Sequence, residues 1–205
     1  MNVMQQLVSG GNKVYVKIGN PLTYEKWVAG YKAGRTFVTN GPMVFLEVDG
    51  KQPGEEIHID SPRSLNIRVR AQSPVVPISV VELIVNGEVA ASAKPTRAGW
   101  SVELHHTLRL DRSSWIAARA WGNPHRLVLN GINDSRAFAH TSPVYCYLGH
   151  QRIAFPEDAR ILVAWIDRLL LDVAASPRFS TEAKRHEVIA LFRKARKFYQ
   201  DIIPN

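Results

Sequence analysis

Cysteine is almost missing from this 205-residue chain. Cys146 stands alone, which excludes an internal disulfide and a Cys-rich zinc site. It lies in PVYCYLG, an apolar and aromatic run in which a free thiol behaves as a small buried hydrophobe. No apolar run reaches the length that a membrane span needs. The first residues, MNVMQQLVSGGNK, show no basic stretch followed by an apolar core, so a soluble, cytoplasmic protein is the expectation. Acidic residues are also scarce, 18 against 26 Lys and Arg, which leaves a net charge of +8. Much of that excess falls in KRHEVIALFRKARKFYQ, whose charges share one helical face while Val188, Phe192, Ala195, Tyr199 and Ile202 share the other. Such a pattern describes a solvated helix with cations complementing its C-terminal dipole. No nucleic-acid-binding motif accompanies the charge, so nucleic acid is not the expected partner.

Catalytic signatures are missing as well. There is no P-loop, no GxGxxG after a strand, no nucleophile elbow and no glycosidase-like carboxylate pair. Seven histidines are present, at 58, 105, 106, 125, 140, 150 and 186, yet none has zinc-motif spacing. His186-Glu187 lacks the second histidine one turn later, and His105 and His106 point to opposite faces of a strand. In FAHTSPVY, His140 and Ser142 share one side of a regular strand. Without an orienting group or an oxyanion hole, hydrogen bonding to a neighbouring loop is their plainer role. Asn40-Gly41-Pro42 reads equally as a simple turn or as backbone presented to a ligand. Of the five tryptophans, Trp100 and Trp165 lie on apolar faces and read as core, while Trp115 and Trp121 are free to form a sugar-binding platform.

What is present is a change of period. VYVKI, residues 14–18, reads as a strand ended by Asn20-Pro21. In LTYEKWVAGYKAG, Thr23 can cap a helix, Tyr24, Trp27, Val28 and Tyr31 fall at helical spacing, and Gly34 can stop it. From Arg35 the pattern alternates. TFVTNGPMVFLEVDG is a strand interrupted at Asn40-Gly41-Pro42 and turned by Asp49-Gly50. In LNIRVRAQ, Leu65, Ile67, Val69 and Ala71 face inward, and Asn66, Arg68, Arg70 and Gln72 face water. Asn86-Gly87 marks a hairpin. WSVELHHTLRL, SWIAARAWG and AFAHTSPVYCYLG supply further strands.

About seven short strands with no helix between them predict an antiparallel, immunoglobulin-like β-sandwich over residues 35–150. A strand and helix precede it in residues 1–34. In residues 151–205 a helical hairpin follows, opened by Pro156 and Glu157, broken at Ser176-Pro177 and resumed after a cap at Ser180. Ile161, Leu162, Trp165, Ile166, Leu169, Leu170 and Val173 form its first apolar stripe.

The ordered phrases VYVKI, AGRTFVTNGP, VVELIVNGEVA, SSWIAARAWG and AHTSPVY resemble the C-terminal portion of CehA/McbA-type metallohydrolases, members of the polymerase-and-histidinol-phosphatase (PHP) superfamily. The resemblance runs from about Val14 through the terminal helices. In that family a metal-binding (β/α) barrel comes first, hydrolyses ester, carbamate or phosphate-type bonds, and is followed by a β-rich region. The resemblance implies that Tyr31–Pro42 is the seam between barrel and sandwich, and that residues 1–34 are the barrel's last strand and helix. It offers no metal ligand to carry over, so no cofactor is expected in this chain and divalent metal only in the barrel. The implied role is a non-catalytic accessory or assembly module. Alternatives are a subunit that gives a substrate-facing lid to a barrel in cis or in trans, and a carbohydrate- or small-ligand-binding sandwich. Val14, Val16, Ile18 and Trp27 then need cover, on this chain or across a homodimer. Arg35, Thr39, Asn40, Gly41, His140 and Ser142 are the candidate interface or ligand-facing residues.

Overall fold

The computed structural model describes residues 11–74, 76–96, 99–124 and 136–204. His125 and the first ten residues, on which two of the readings above fall, lie outside them. The chain forms two compact units, one through Arg152 and the other from Ile153.

The first unit holds β1 (Lys13–Val16), α1 (Tyr24–Lys32), β2 (Thr36–Thr39), β3 (Met43–Val48), β4 (Glu56–Ile59), β5 (Arg63–Gln72), β6 (Ile78–Val85), β7 (Glu88–Ala93), β8 (Ser101–Leu110), β9 (Ser114–Pro124), β10 (Arg136–Thr141) and β11 (Val144–Leu148). Alternation in the sequence becomes alternation in burial. On β5, Leu65, Ile67, Val69 and Ala71 are buried while Asn66, Arg68 and Arg70 are exposed. At the β6–β7 turn, Asn86 and Gly87 both take positive φ, 53° and 94°, the geometry whose twist suits a two-residue hairpin.

The strands make two sheets. β3-β5-β8 is a three-stranded antiparallel sheet. The eight-stranded sheet runs β1-β2-β10-β9-β11-β4, with β6 and β7 added on the other side of β9. Inward residues of both sheets, among them Leu46, Leu65 and Val69 from one and Leu83, Ile116 and Val144 from the other, share one core. Cys146 belongs to that core, and burial pushes its thiol up to about 12.

β9 is long enough to serve two partners on one edge. Its first residues pair with β11 and its later ones with β10. At the changeover the buried Thr141 hydroxyl accepts the Ala118 N–H at 3.0 Å, replacing the missing ladder bond.

Several expectations need correction. The sheets are not purely antiparallel, because β11 pairs in parallel with β4. Ten strands, β2 to β11, are described in residues 35–150, where about seven were expected. The stretch 36–48 is not one interrupted strand: β2 and β3 belong to different sheets, and Asn40-Gly41-Pro42 is the corner between them. Trp100 is 48% exposed, since it precedes β8 in place of joining its inward row.

The second unit consists of α2 (Pro156–Ala175) and α3 (Glu182–Gln200). Thr181 caps α3, its hydroxyl accepting the Lys184 N–H at 3.2 Å, where Ser180 was expected. Arg196 of α3 holds Asp167 of α2 through two bonds of 2.6 and 3.1 Å. Trp165, expected in an apolar core, is 62% exposed. Among the described residues no helix is long and apolar enough to cross a membrane.

Candidate functional site

The seam between α1 and β2 is built by local chemistry. Thr23 caps α1, accepting the Lys26 N–H at 3.3 Å. At its other end the Arg35 N–H donates to the Gly30 carbonyl and the Gly34 N–H to the Tyr31 carbonyl, both at 3.0 Å. These two bonds are the paired closure of a Schellman motif. The chain then lies against Gly54, where an added Cβ would sit 2.0 Å from the Ala33 carbonyl oxygen. Only glycine fits there, and its φ of +84° makes the same demand.

Four of the sequence-derived candidates serve the corner and its neighbour strand. Asn40 accepts the Phe138 N–H at 2.7 Å and donates to the Arg136 carbonyl at 2.9 Å. The buried Thr39 hydroxyl accepts the Gly41 N–H at 2.9 Å and donates to the Pro42 carbonyl. Ser142 shares a 2.7 Å hydrogen bond with the Thr36 hydroxyl, and its own N–H donates to the Thr36 carbonyl. These bonds turn polar groups inward and tie β2 to β10.

His140 lies elsewhere, half-buried on the outer face of the larger sheet, opposite Val38 on one side and Arg119 on the other. Burial holds its imidazole below the usual value, and Arg119 adds to this against a bond with the Thr141 backbone. No hydrogen bond joins His140 to Ser142 among the described residues, so the two do not form a nucleophile–base pair. Trp121, nearby, donates its indole N–H to Glu82 at 3.0 Å and packs on Phe138 with ring centroids 4.8 Å apart. Trp115 and Trp121 are both half-buried and stand six positions apart on β9, roughly 20 Å, so they make no exposed planar pair.

Arg35 is the candidate that opens onto a cavity. A cleft of about 430 Å³ is lined by residues of β1, β2, β3 and β5. Its floor is aromatic: Tyr15 stacks on Phe37 at 4.9 Å, and Phe37 meets Phe45 edge-on at 5.8 Å. Its rim is basic. The Arg70 guanidinium stands 5.0 Å from the Phe45 ring centre, Arg68 is bound to Glu103, and Lys17 donates to Gln52. Glu47 is the one acid in the lining. Tyr15, Phe37, Phe45, Arg68 and Arg70 were not singled out as site residues. The alternation of LNIRVRAQ does place both arginines on a wet face, but nothing local shows that this face borders β1 and β2.

Among the described residues, no three His, Cys, Asp or Glu side chains come together in a group able to hold a metal ion. A second recess, about 1050 Å³, lies on the helical unit, where Asp167 pairs with Arg196 and Lys197 with Asp201 and Arg193 also lines the wall.

No family model matches the chain, and no curated protein matches it. Among solved structures it is similar to the fibronectin(III)-like modules of Clostridium thermocellum CbhA, at 20% identity over 54% of this chain and 100% of that one, with a TM-score of 0.31. It is also similar to a lytic polysaccharide monooxygenase of Jonesia denitrificans, at 22% identity over 46% of this chain and 60% of that one, with a TM-score of 0.25.

Proposed function

We propose that this chain is a non-catalytic accessory or assembly module of the kind that follows the metal-binding barrel in CehA/McbA-type metallohydrolases. In this reading the sandwich is immunoglobulin-like and α2 and α3 form a helical hairpin beside it in sequence. The surface of β1 and α1 carries the reading. Tyr24 is 76% exposed, Tyr31 53% and Trp27 38%, and the Trp27 and Tyr31 rings stack at 5.6 Å. An aromatic row on a short exposed helix is surface that a neighbouring domain would cover. The barrel supplies the divalent metal and the activated water; this chain supplies a docking face.

Mixing the chain with a barrel domain of this superfamily, followed by sedimentation velocity, tests the idea. Association is expected, and Trp27→Glu with Tyr31→Glu is expected to abolish it. The chain alone is expected to hydrolyse no ester or phosphate with manganese or zinc. Metal-dependent turnover that stays with the repurified chain would overturn the proposal, and a homodimer through the same face would replace the barrel as partner.

Arg35 favours a second reading, in which the chain gives a substrate-facing wall to a barrel in trans. Arg35 is among the residues that line the cleft beside the seam, and it has no acidic partner among the described residues. Stimulation of a partner's turnover that Arg35→Ala removes, with association retained, would single out this reading.

A further inference from the structure

The side chains of the 430 Å³ cleft carry an inference that does not depend on a barrel. Its volume lies in the range of small-molecule sites. What it can hold follows from which of its polar groups are already engaged. The Thr36 hydroxyl shares a bond with Ser142, the Thr141 hydroxyl accepts the Ala118 N–H, and the Gln52 amide oxygen accepts Lys17. Arg68 is held by Glu103, whose carboxylate also stands 3.1 Å from His105. Glu47 is opposite Arg68 in the β3–β5 register, where opposite charges offset one another. Arg70 is opposite Glu103 in the β5–β8 register, yet its guanidinium lies over the Phe45 ring instead. Arg70 and Arg35 are thus the cations of the lining with no acidic partner among the described residues.

The apolar part of the lining is flat and reachable. Tyr15 and Phe45 are both exposed, Tyr15 lies nearly parallel to Phe37 at 7°, and Phe37 meets Phe45 at 65°. Such rings take an aromatic guest in offset or edge-on contact. A guanidinium resting on a ring keeps its N–H donors free at the edge, and its planar fork matches a carboxylate. A sugar would ask for acceptors as well as donors, and Glu47 is the one acid in the lining. We infer that the cleft binds a planar aromatic carboxylate of one or two rings. The rings lie against Tyr15 and Phe45, the carboxylate pairs with Arg70, and Arg35 adds its charge.

The test uses the full chain, ¹⁵N-labelled, titrated with sodium 2-naphthoate. Saturable shifts are expected at the amides of Tyr15, Phe37, Phe45 and Arg70, with a Kd of about 1 mM or below, as the efficiency of small ligands allows. Uncharged 2-naphthamide should bind at least ~5-fold more weakly, because it loses the charge-assisted pairing. Decalin-2-carboxylate keeps the charge and loses the flat rings, and should bind at least ~3-fold more weakly. Arg70→Gln should weaken naphthoate by ~5-fold and leave naphthamide within ~2-fold of its value, which isolates the carboxylate–guanidinium pair. Arg109→Gln removes the same charge from an exposed position of β8 outside the cleft, and should leave both compounds within ~2-fold.

Equal binding of naphthoate and naphthamide would overturn the assignment and leave an apolar pocket. Weakening by Arg109→Gln as large as by Arg70→Gln would overturn it in favour of attraction to the net charge of +8. Displacement of naphthoate by equimolar inorganic phosphate would overturn it in favour of an anion site without preference for rings. Shifts confined to α3, or no saturable shift with any of the three compounds, would also sink it. Arg70 has no part in the docking of Trp27 and Tyr31 to a barrel, so the two proposals fail separately.

Discussion

Thr39–Pro42 and Val44–Leu46 are neighbours in the chain and differ in what their side chains do. At the corner, the Asn40 side chain and the Thr39 hydroxyl are engaged by Phe138, Arg136, Gly41 and Pro42. On the next strand, Val44 and Leu46 are buried whole, and Phe45 between them is 37% exposed in the lining of the cleft. The difference shows which half of the phrase TNGPMVFLEV ties strands together and which half lines the cleft. Unpaired buried polar groups are costly, so a closed corner reports folding.

Substitutions on the two sides should separate in size. Gly54→Ala is expected to destabilise most, by about 3 kcal/mol or more, because it forces a Cβ into the Ala33 carbonyl at a left-handed φ. Equilibrium urea unfolding should show this, and a near-neutral result would mean that the seam is looser than its Schellman closure implies. Next, Asn40→Ala should cost about 2 kcal/mol in the same measurement, since it removes two hydrogen bonds and leaves the Phe138 N–H and Arg136 carbonyl without that partner.

On the open side, Arg70→Ala should cost less than about 0.5 kcal/mol, as an exposed guanidinium over a ring contributes little to folding. A loss comparable to Asn40→Ala would erase the distinction between corner and cleft. The smallest effect expected is a pH slope. His140 is held below its usual value, so the unfolded chain binds its proton first, and stability should decline as pH falls from about 6.5 through the lower folded value. Glu55, Glu103 and Asp167 are also held low, by Gln52, Arg68 and Arg196 respectively, but they act below about 4.5. Urea midpoints at pH 7.5 and 5.5 should therefore converge in His140→Gln, and an unchanged difference would assign the slope to another group.

Much of the local architecture was legible. The alternation in LNIRVRAQ, the Asn86-Gly87 hairpin, the Thr23 cap and the Gly34 stop depend on residues within a few positions of one another. Ser180 and Thr181 satisfy the same capping rule in sequence, and Thr181 is the one that caps α3. The sheet assignment of β2 and β3 was not legible, since nothing within TFVTNGPMVFLEV distinguishes a bulged strand from a corner between two sheets. Nor was the parallel pairing of β11 with β4, which joins residues far apart in the chain.

The candidate site divides along the same line. Thr39, Asn40 and Ser142 stood out as polar residues among apolar strands, and they hold strands together. The cleft joins Tyr15, Phe37, Phe45 and Arg70 from four strands, and none of them is a site candidate in its own segment. The sequence by itself determined the periods, caps and turns, because these follow from neighbouring residues and the geometry of one strand or helix. Only the tertiary structure decided which strands belong to which sheet and which of them meet around the cleft, because both are relations among distant parts of the chain.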